Sequence, residues 1–106
     1  MNEYCVIYTT FSGKDDALRV IQNLISERLI ACGNIVENMT AVYSWKGKIE
    51  QASEVIVFMK TKSKHYDAVE KRIKELHSYE VPCIFKMDME QVFAPYAKWI
   101  NEETKE

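Results

Sequence analysis

Asn34–Lys62 reads NIVENMTAVYSWKGKIEQASEVIVFMKTK, and two strands and a turn account for nearly all of it. β-Branched and aromatic residues form two runs about Lys46-Gly47-Lys48: Ile35, Val36, Val42, Tyr43 and Trp45 before it, Ile49 and Val55-Ile56-Val57-Phe58-Met59 after it. Such residues suit a pleated, packed surface, and Gly47 supplies the backbone freedom of a tight turn. The segment is predicted to be one long β-hairpin. At about 3.3 Å per residue its arms span about 43 and 50 Å. The helical stretch before it, Lys14 to Ile30, covers only about 25 Å, and a first strand over Tyr4–Thr10 about 23 Å. The hairpin should therefore overshoot its own domain by about 20 Å. Its tip carries Tyr43, Trp45 and Ile49, and a lone copy would leave that apolar ribbon and its unpaired edge in water. Sister copies of the chain are expected to cover it, with Trp45 as an interface anchor.

The flanking sequence supplies the rest of a domain. Tyr4–Thr10 contains the continuous apolar run Cys5-Val6-Ile7-Tyr8, which predicts a central strand buried on both faces. Ser12 is a candidate N-cap for a helix whose stripe is Ala17, Leu18, Ile21, Leu24, Ile25 and Leu29. The polar interruptions Asn38-Met39-Thr40 and Glu50-Gln51-Ala52-Ser53 are expected to be bulges on opposite arms of the hairpin. Ser63 is a candidate cap for a second helix to about His77, burying Tyr66, Val69, Ile73 and Leu76. Glu70 with Lys74 and Lys71 with Glu75 form its solvent-face pairs. Pro82 ends the following loop, Cys83–Met89 reads as a strand, and Pro95 starts a third helix that buries Tyr96, Trp99 and Ile100. The polar tail Asn101–Glu106 is expected to fray. The order βαββαβα predicts a single α+β domain over residues 1–106, a ferredoxin-like sandwich with antiparallel strand order 4-1-3-2 and an extra C-terminal helix.

Composition narrows the function. A chain of 106 residues with 47% apolar residues makes one modest core, to which burial in an oligomer would add. A net charge of −2 with interspersed signs argues against a nucleic-acid or membrane partner recognised by bulk charge. There is no apolar run of about 18 residues and no basic segment followed by a long apolar one at the amino terminus, so a cytoplasmic location with reduced cysteines is expected.

Chain direction brings Tyr8, Thr10, Ser12, His77, Tyr79, Glu80 and Cys83 to one cleft beside the hairpin tip. Cys5 and Cys32 belong to the opposite end, so the three thiols do not share a metal. His77 is either a metal ligand through its imidazole or a helix-end histidine facing the last carbonyls. Cys83 is either a soft donor suited to Cu(I) or a small hydrophobe at a strand start. Cys5 and Cys32 read as structural thiols, and His65 as solvated. Met87 and Met89 alternate on one strand, as packing residues or as thioether donors. Acylphosphatase-like catalysis would need an arginine after the first strand, where Phe11-Ser12-Gly13 is followed by Lys14. An RNA-recognition signature is not matched by Val55–Met59. No catalysis is expected.

Three blocks resemble the CutA divalent-cation-tolerance family: Tyr43-Ser44-Trp45-Lys46-Gly47-Lys48-Ile49-Glu50, Leu76-His77-Ser78-Tyr79-Glu80-Val81-Pro82, and Glu27-Arg28-Leu29-Ile30-Ala31-Cys32-Gly33-Asn34-Ile35-Val36. The closing Tyr96-Ala97-Lys98-Trp99 also fits, and the blocks follow the family's order over nearly the whole chain. The resemblance implies a homotrimer of ferredoxin-like subunits, related in shape to PII-type signalling proteins. It also implies binding of divalent metals, copper above all, and a role in metal tolerance. Bacterial members carry a copper-site cysteine where this chain has Tyr8, and paired histidines where it has Leu76 and His77. With His77 and Cys83 as the remaining metal-ligand candidates, weak metal binding with no tightly held cofactor is expected. The alternative is a trimeric, PII-like signalling or scaffold protein that binds a small effector between subunits.

Overall fold

The computed structural model describes residues 2–106. In chain order they form β1 (Tyr4–Phe11), α1 (Lys14–Ser26), β2 (Cys32–Trp45), β3 (Lys48–Lys62), a 3-10 turn over Ser63–His65, α2 (Tyr66–Leu76), β4 (Ile84–Asp88) and α3 (Ala94–Glu103). The strands make one antiparallel sheet in the order β2-β3-β1-β4, the predicted order read from its other edge. Alternation along the strands sorts the side chains. Cys5, Ile7 and Phe11 of β1 and Val55, Val57 and Met59 of β3 join Ala17, Val20, Ile21 and Leu24 of α1 and Val69 and Ile73 of α2 in a single core. The opposite face carries Tyr8, Phe58, Phe85 and Met87, and at its far end Tyr96 of α3 reaches Cys32. Phe85 and Met87 stay exposed.

The hairpin takes up the residues the sequence suggests, within Cys32–Trp45 and Lys48–Lys62, though its longer arm falls short of the expected span of about 50 Å. Trp45 pairs with Lys48, so the turn has two residues, Lys46 and Gly47. Their φ values of 50° and 80° are both positive, as a type I′ turn requires. β1 stops pairing with β3 at Val55, and beyond that point Met39–Trp45 and Lys48–Glu54 have only each other. The molecule measures 44 × 26 × 23 Å. The projecting ribbon leaves Ile49 82% and Trp45 45% exposed. The register slips between Val36 and Met39, with Asn38 at φ 63°, so the first expected bulge is present. The second is not: Glu50–Ser53 pairs regularly with Thr40–Tyr43.

Gly33 of β2 lies against α1. A Cβ there would meet three side-chain atoms of Ile21 at 3.0–3.1 Å. Ile21 is buried and branched, with little room to retreat. Gly33→Ala is expected to destabilise the fold by about 1–3 kcal/mol, measured by urea unfolding; an unchanged midpoint would show that the helix can back away freely.

The helix ends differ from expectation for local reasons. α1 stops at Ser26, not Ile30, because Arg28 adopts a left-handed conformation (φ 60°). Its N–H reaches the Ile25 carbonyl (2.9 Å), and the Leu29 N–H reaches that of Leu24 (3.0 Å), a Schellman closure. Glycine usually fills that position, so an arginine there hid the stop. Neither Ser12 nor Ser63 caps: the N-caps are Gly13 for α1 and Lys62 for the 3-10 turn, without side-chain cap bonds. The expected Glu70–Lys74 and Lys71–Glu75 pairs give way to Tyr66 Oη donating to Glu70 (2.7 Å) and Arg72 forking onto Glu27 (2.9 and 3.0 Å). On α3 only Ile100 is buried, while Trp99 is exposed.

The tail is held, not frayed, through Lys105. Arg28 Nη2 donates to the Glu102 carbonyl (2.7 Å), and Lys62 Nζ donates to those of Thr104 (3.3 Å) and Lys105 (2.9 Å). His65, expected in solvent, is buried, with Nε2 2.6 Å from the Lys105 carbonyl. Thr104 is 2% exposed. Burial, with Lys62, Lys64 and Lys105 around it, holds the His65 imidazole below its ordinary 6.5. The fold thus favours neutral His65. That contribution is complete above the unfolded value and is lost as pH falls through the lower folded value. Between about pH 7.5 and 5 the melting temperature is expected to fall, and less so in His65→Gln, which keeps a donor but does not titrate. Equal pH slopes for the two proteins would assign the loss to other groups.

Candidate functional site

A groove of about 610 Å³ runs along the sheet's open face between the root of the hairpin and the loop joining α2 to β4. Tyr8 and Thr10 of β1 form its floor. Met39, Val42, Tyr43 and Trp45 line the hairpin side, and Tyr79, Glu80, Val81 and Cys83 the loop side. Tyr8 is fixed by stacking on Phe85 (centroids 4.8 Å apart) and by an edge contact with Phe58 (5.7 Å). Its phenol is pushed up by burial, and then by the neighbouring Cys83 and Glu54.

Glu54 is the groove residue that sequence reasoning missed. It sits on β3 opposite Met39, just past the bulge, and is only 9% exposed. Tyr79 Oη donates to its Oε2 at 2.5 Å. Burial first, and this hydrogen bond second, push the Tyr79 phenol well above its ordinary value, so it stays a donor. The missed signal was parity. Glu54 alternates with Ile56 and Phe58, and Phe58 pairs with Tyr8, which places Glu54 on the open face beside the cleft.

His77 stands behind the groove wall. The Tyr79 N–H donates to its Nδ1 (3.0 Å), which puts the ring proton on Nε2, and Nε2 donates to the Thr10 carbonyl (2.7 Å). Phe11 stacks on the ring at 4.5 Å. Both imidazole nitrogens are therefore engaged within the chain, and a metal at His77 would have to displace one of these bonds. The bonds have an evident local effect: they tie the loop to β1 and aim Tyr79 at Glu54. Arg19 and Asp16 of α1 brace the same corner, through Arg19 Nη2 on the Leu76 carbonyl (2.8 Å) and Ser78 Oγ on Asp16 (3.2 Å).

Of the residues expected at the cleft, Tyr8, Thr10, Tyr79, Glu80 and Cys83 line the groove together, joined by Tyr43 and Trp45; Ser12 and His77 do not line it. The three thiols are spread out. Cys5 is fully buried. Cys32 is half-buried, with Sγ 3.7 Å from Tyr96 Oη, whose phenol is pushed up to about 12 by burial and by this contact. Both belong to the far end of the sheet, where Cys5 pairs with Thr61 and Cys32 with Lys60. Cys83 is exposed, its thiol pushed up by partial burial and then by the charge of Glu54. Among the described residues no group of three or more His, Cys, Asp or Glu side chains is spaced to hold a metal ion.

Residues 5–103 match the family model described as CutA1 divalent ion tolerance protein. The divalent-cation tolerance protein CutA of Pyrococcus horikoshii is 45% identical over 100 residues, which cover 94% of this chain and 97% of that one. The crystal structure of CutA1 from Oryza sativa superimposes with a TM-score of 0.95 at 31% identity, covering 99% of this chain and 96% of the other. The structure of the periplasmic divalent cation tolerance protein CutA from Archaeoglobus fulgidus gives 0.94 at 32% identity, covering 96% and 99%.

Proposed function

Since the chain belongs to the CutA1 divalent ion tolerance family, which supports a role in divalent-cation tolerance, we propose that it serves as a non-catalytic homotrimer that takes up soft metal ions, copper first, in the groove beside the hairpin. Metal is cargo here, held weakly and exchanged. The observation that carries this reading is Cys83: an accessible soft donor at the groove, close enough to Glu54 for that charge to influence its thiol. Glu80 adds a carboxylate on the same wall. Sister subunits that cover the ribbon and the open face would complete the shell with water or their own side chains. His77 acts as a brace for the loop, since both its nitrogens are occupied.

The ligand is thiolate, so binding releases a proton, and a thiol pushed upward makes uptake strengthen with rising pH. Copper titration against a competing chelator tests this. Cys83→Ser is expected to weaken uptake by at least about tenfold, or about 1.4 kcal/mol, while Cys5→Ser leaves it unchanged. Equal uptake by Cys83→Ser and the unaltered protein would refute the assignment.

A further inference from the structure

Glu54 has more capacity than the fold uses. Its Oε2 accepts from Tyr79, and its Oε1 has no hydrogen-bond or ion-pair partner among the described residues. Neither lysine nor arginine lines the groove. Glu54 is only 9% exposed and has no counter-ion in the groove among the described residues, so a cation entering it would find a free carboxylate oxygen to pair with.

The surroundings indicate which cation. A bare metal ion needs several donors, and apart from Cys83, Glu80 and the Thr10 hydroxyl the groove around Glu54 is lined by aromatic rings and aliphatic side chains. An ammonium group needs one carboxylate and the faces of aromatic rings, and Tyr8, Tyr43, Trp45 and Tyr79 supply the rings. A volume of about 610 Å³ suits a small molecule. We propose that the groove binds a small organic cation, its ammonium paired with Glu54 and its carbon skeleton laid against Tyr43 and Trp45. This rests on the groove being the functional site, but not on metal uptake at Cys83.

Phenethylammonium is a suitable probe, with 2-phenylethanol as its uncharged counterpart, read by tryptophan fluorescence in a Trp99→Phe background so that Trp45 reports alone. The amine is expected to give a saturable change. The alcohol should bind at least about tenfold more weakly, as should the amine to Glu54→Gln. Cys83→Ser should bind the amine normally while losing copper, so failure of the metal assignment and failure of this one are read separately. Equal affinity for amine and alcohol overturns the proposal, and that comparison stands even if Glu54→Gln does not fold. So does undiminished binding by Glu54→Gln. Absence of any saturable change also overturns it; if Glu54→Gln then alters the particle mass, a lysine from a second copy occupies the groove.

Discussion

Phe11→Ala is expected to cost about 3–5 kcal/mol of folding stability, a large part of the roughly 5–15 kcal/mol that holds a typical domain together. Phe11 is fully buried at the end of β1, inside the cluster that joins the sheet to both helices. Truncation removes apolar surface from the core and leaves a cavity between elements that the rest of the fold holds apart. It also strips the stacking partner from His77. The loop braced by that ring should loosen, and Tyr79 should lose its aim at Glu54. Two readouts follow. Urea unfolding at fixed protein concentration should show the loss of stability. Amide exchange should rise at Tyr79, whose N–H is held by His77 Nδ1. Phe11→Leu, which keeps most of the volume, should cost under about 2 kcal/mol. A loss below about 1 kcal/mol for Phe11→Ala would mean that the sheet and helices collapse freely onto the gap, contrary to close packing.

The double variant Trp45→Ser, Ile49→Ser is expected to reduce the assembled particle to single copies and to lower its melting temperature. In one copy these side chains are already exposed, Ile49 at 82% and Trp45 at 45%. Surface replacements of that kind usually change stability by no more than about 0.5 kcal/mol. The lone chain therefore predicts almost no effect, and a large one reports on burial against sister chains. Since native-state association stabilises by mass action, the unaltered protein should melt higher as its concentration rises, and the double variant should not. An unchanged mass and melting temperature would leave the ribbon without the role assigned to it.

Much of the fold was legible because long-range pattern carries it. The length of the Asn34–Lys62 ribbon, the tight turn at Gly47 and the apolar run Val55–Met59 are features of residue type and turn chemistry. What escaped was decided by single side chains in three dimensions. Arg28 ends α1 in a conformation usually left to glycine, and its guanidinium reaches the end of α3. His65 and Lys62 hold the tail through carbonyls some forty residues away in sequence. At the candidate site, topology brought Tyr8, Thr10, Tyr79, Glu80 and Cys83 together as expected. It did not reveal that His77 spends both nitrogens on the backbone, nor that Glu54 is buried beneath Tyr79. Hydrogen-bond commitments of this kind depend on ring orientation, which spacing along the chain does not encode.

Sedimentation equilibrium of the unaltered chain through a dilution series reads the assembly itself, because only sister copies can shelter the overhanging hairpin. A folded particle of three times 12.4 kDa that persists into the low micromolar range is the predicted result. A well-folded 12.4 kDa particle at those concentrations, its exposed hairpin tip in water, would contradict it.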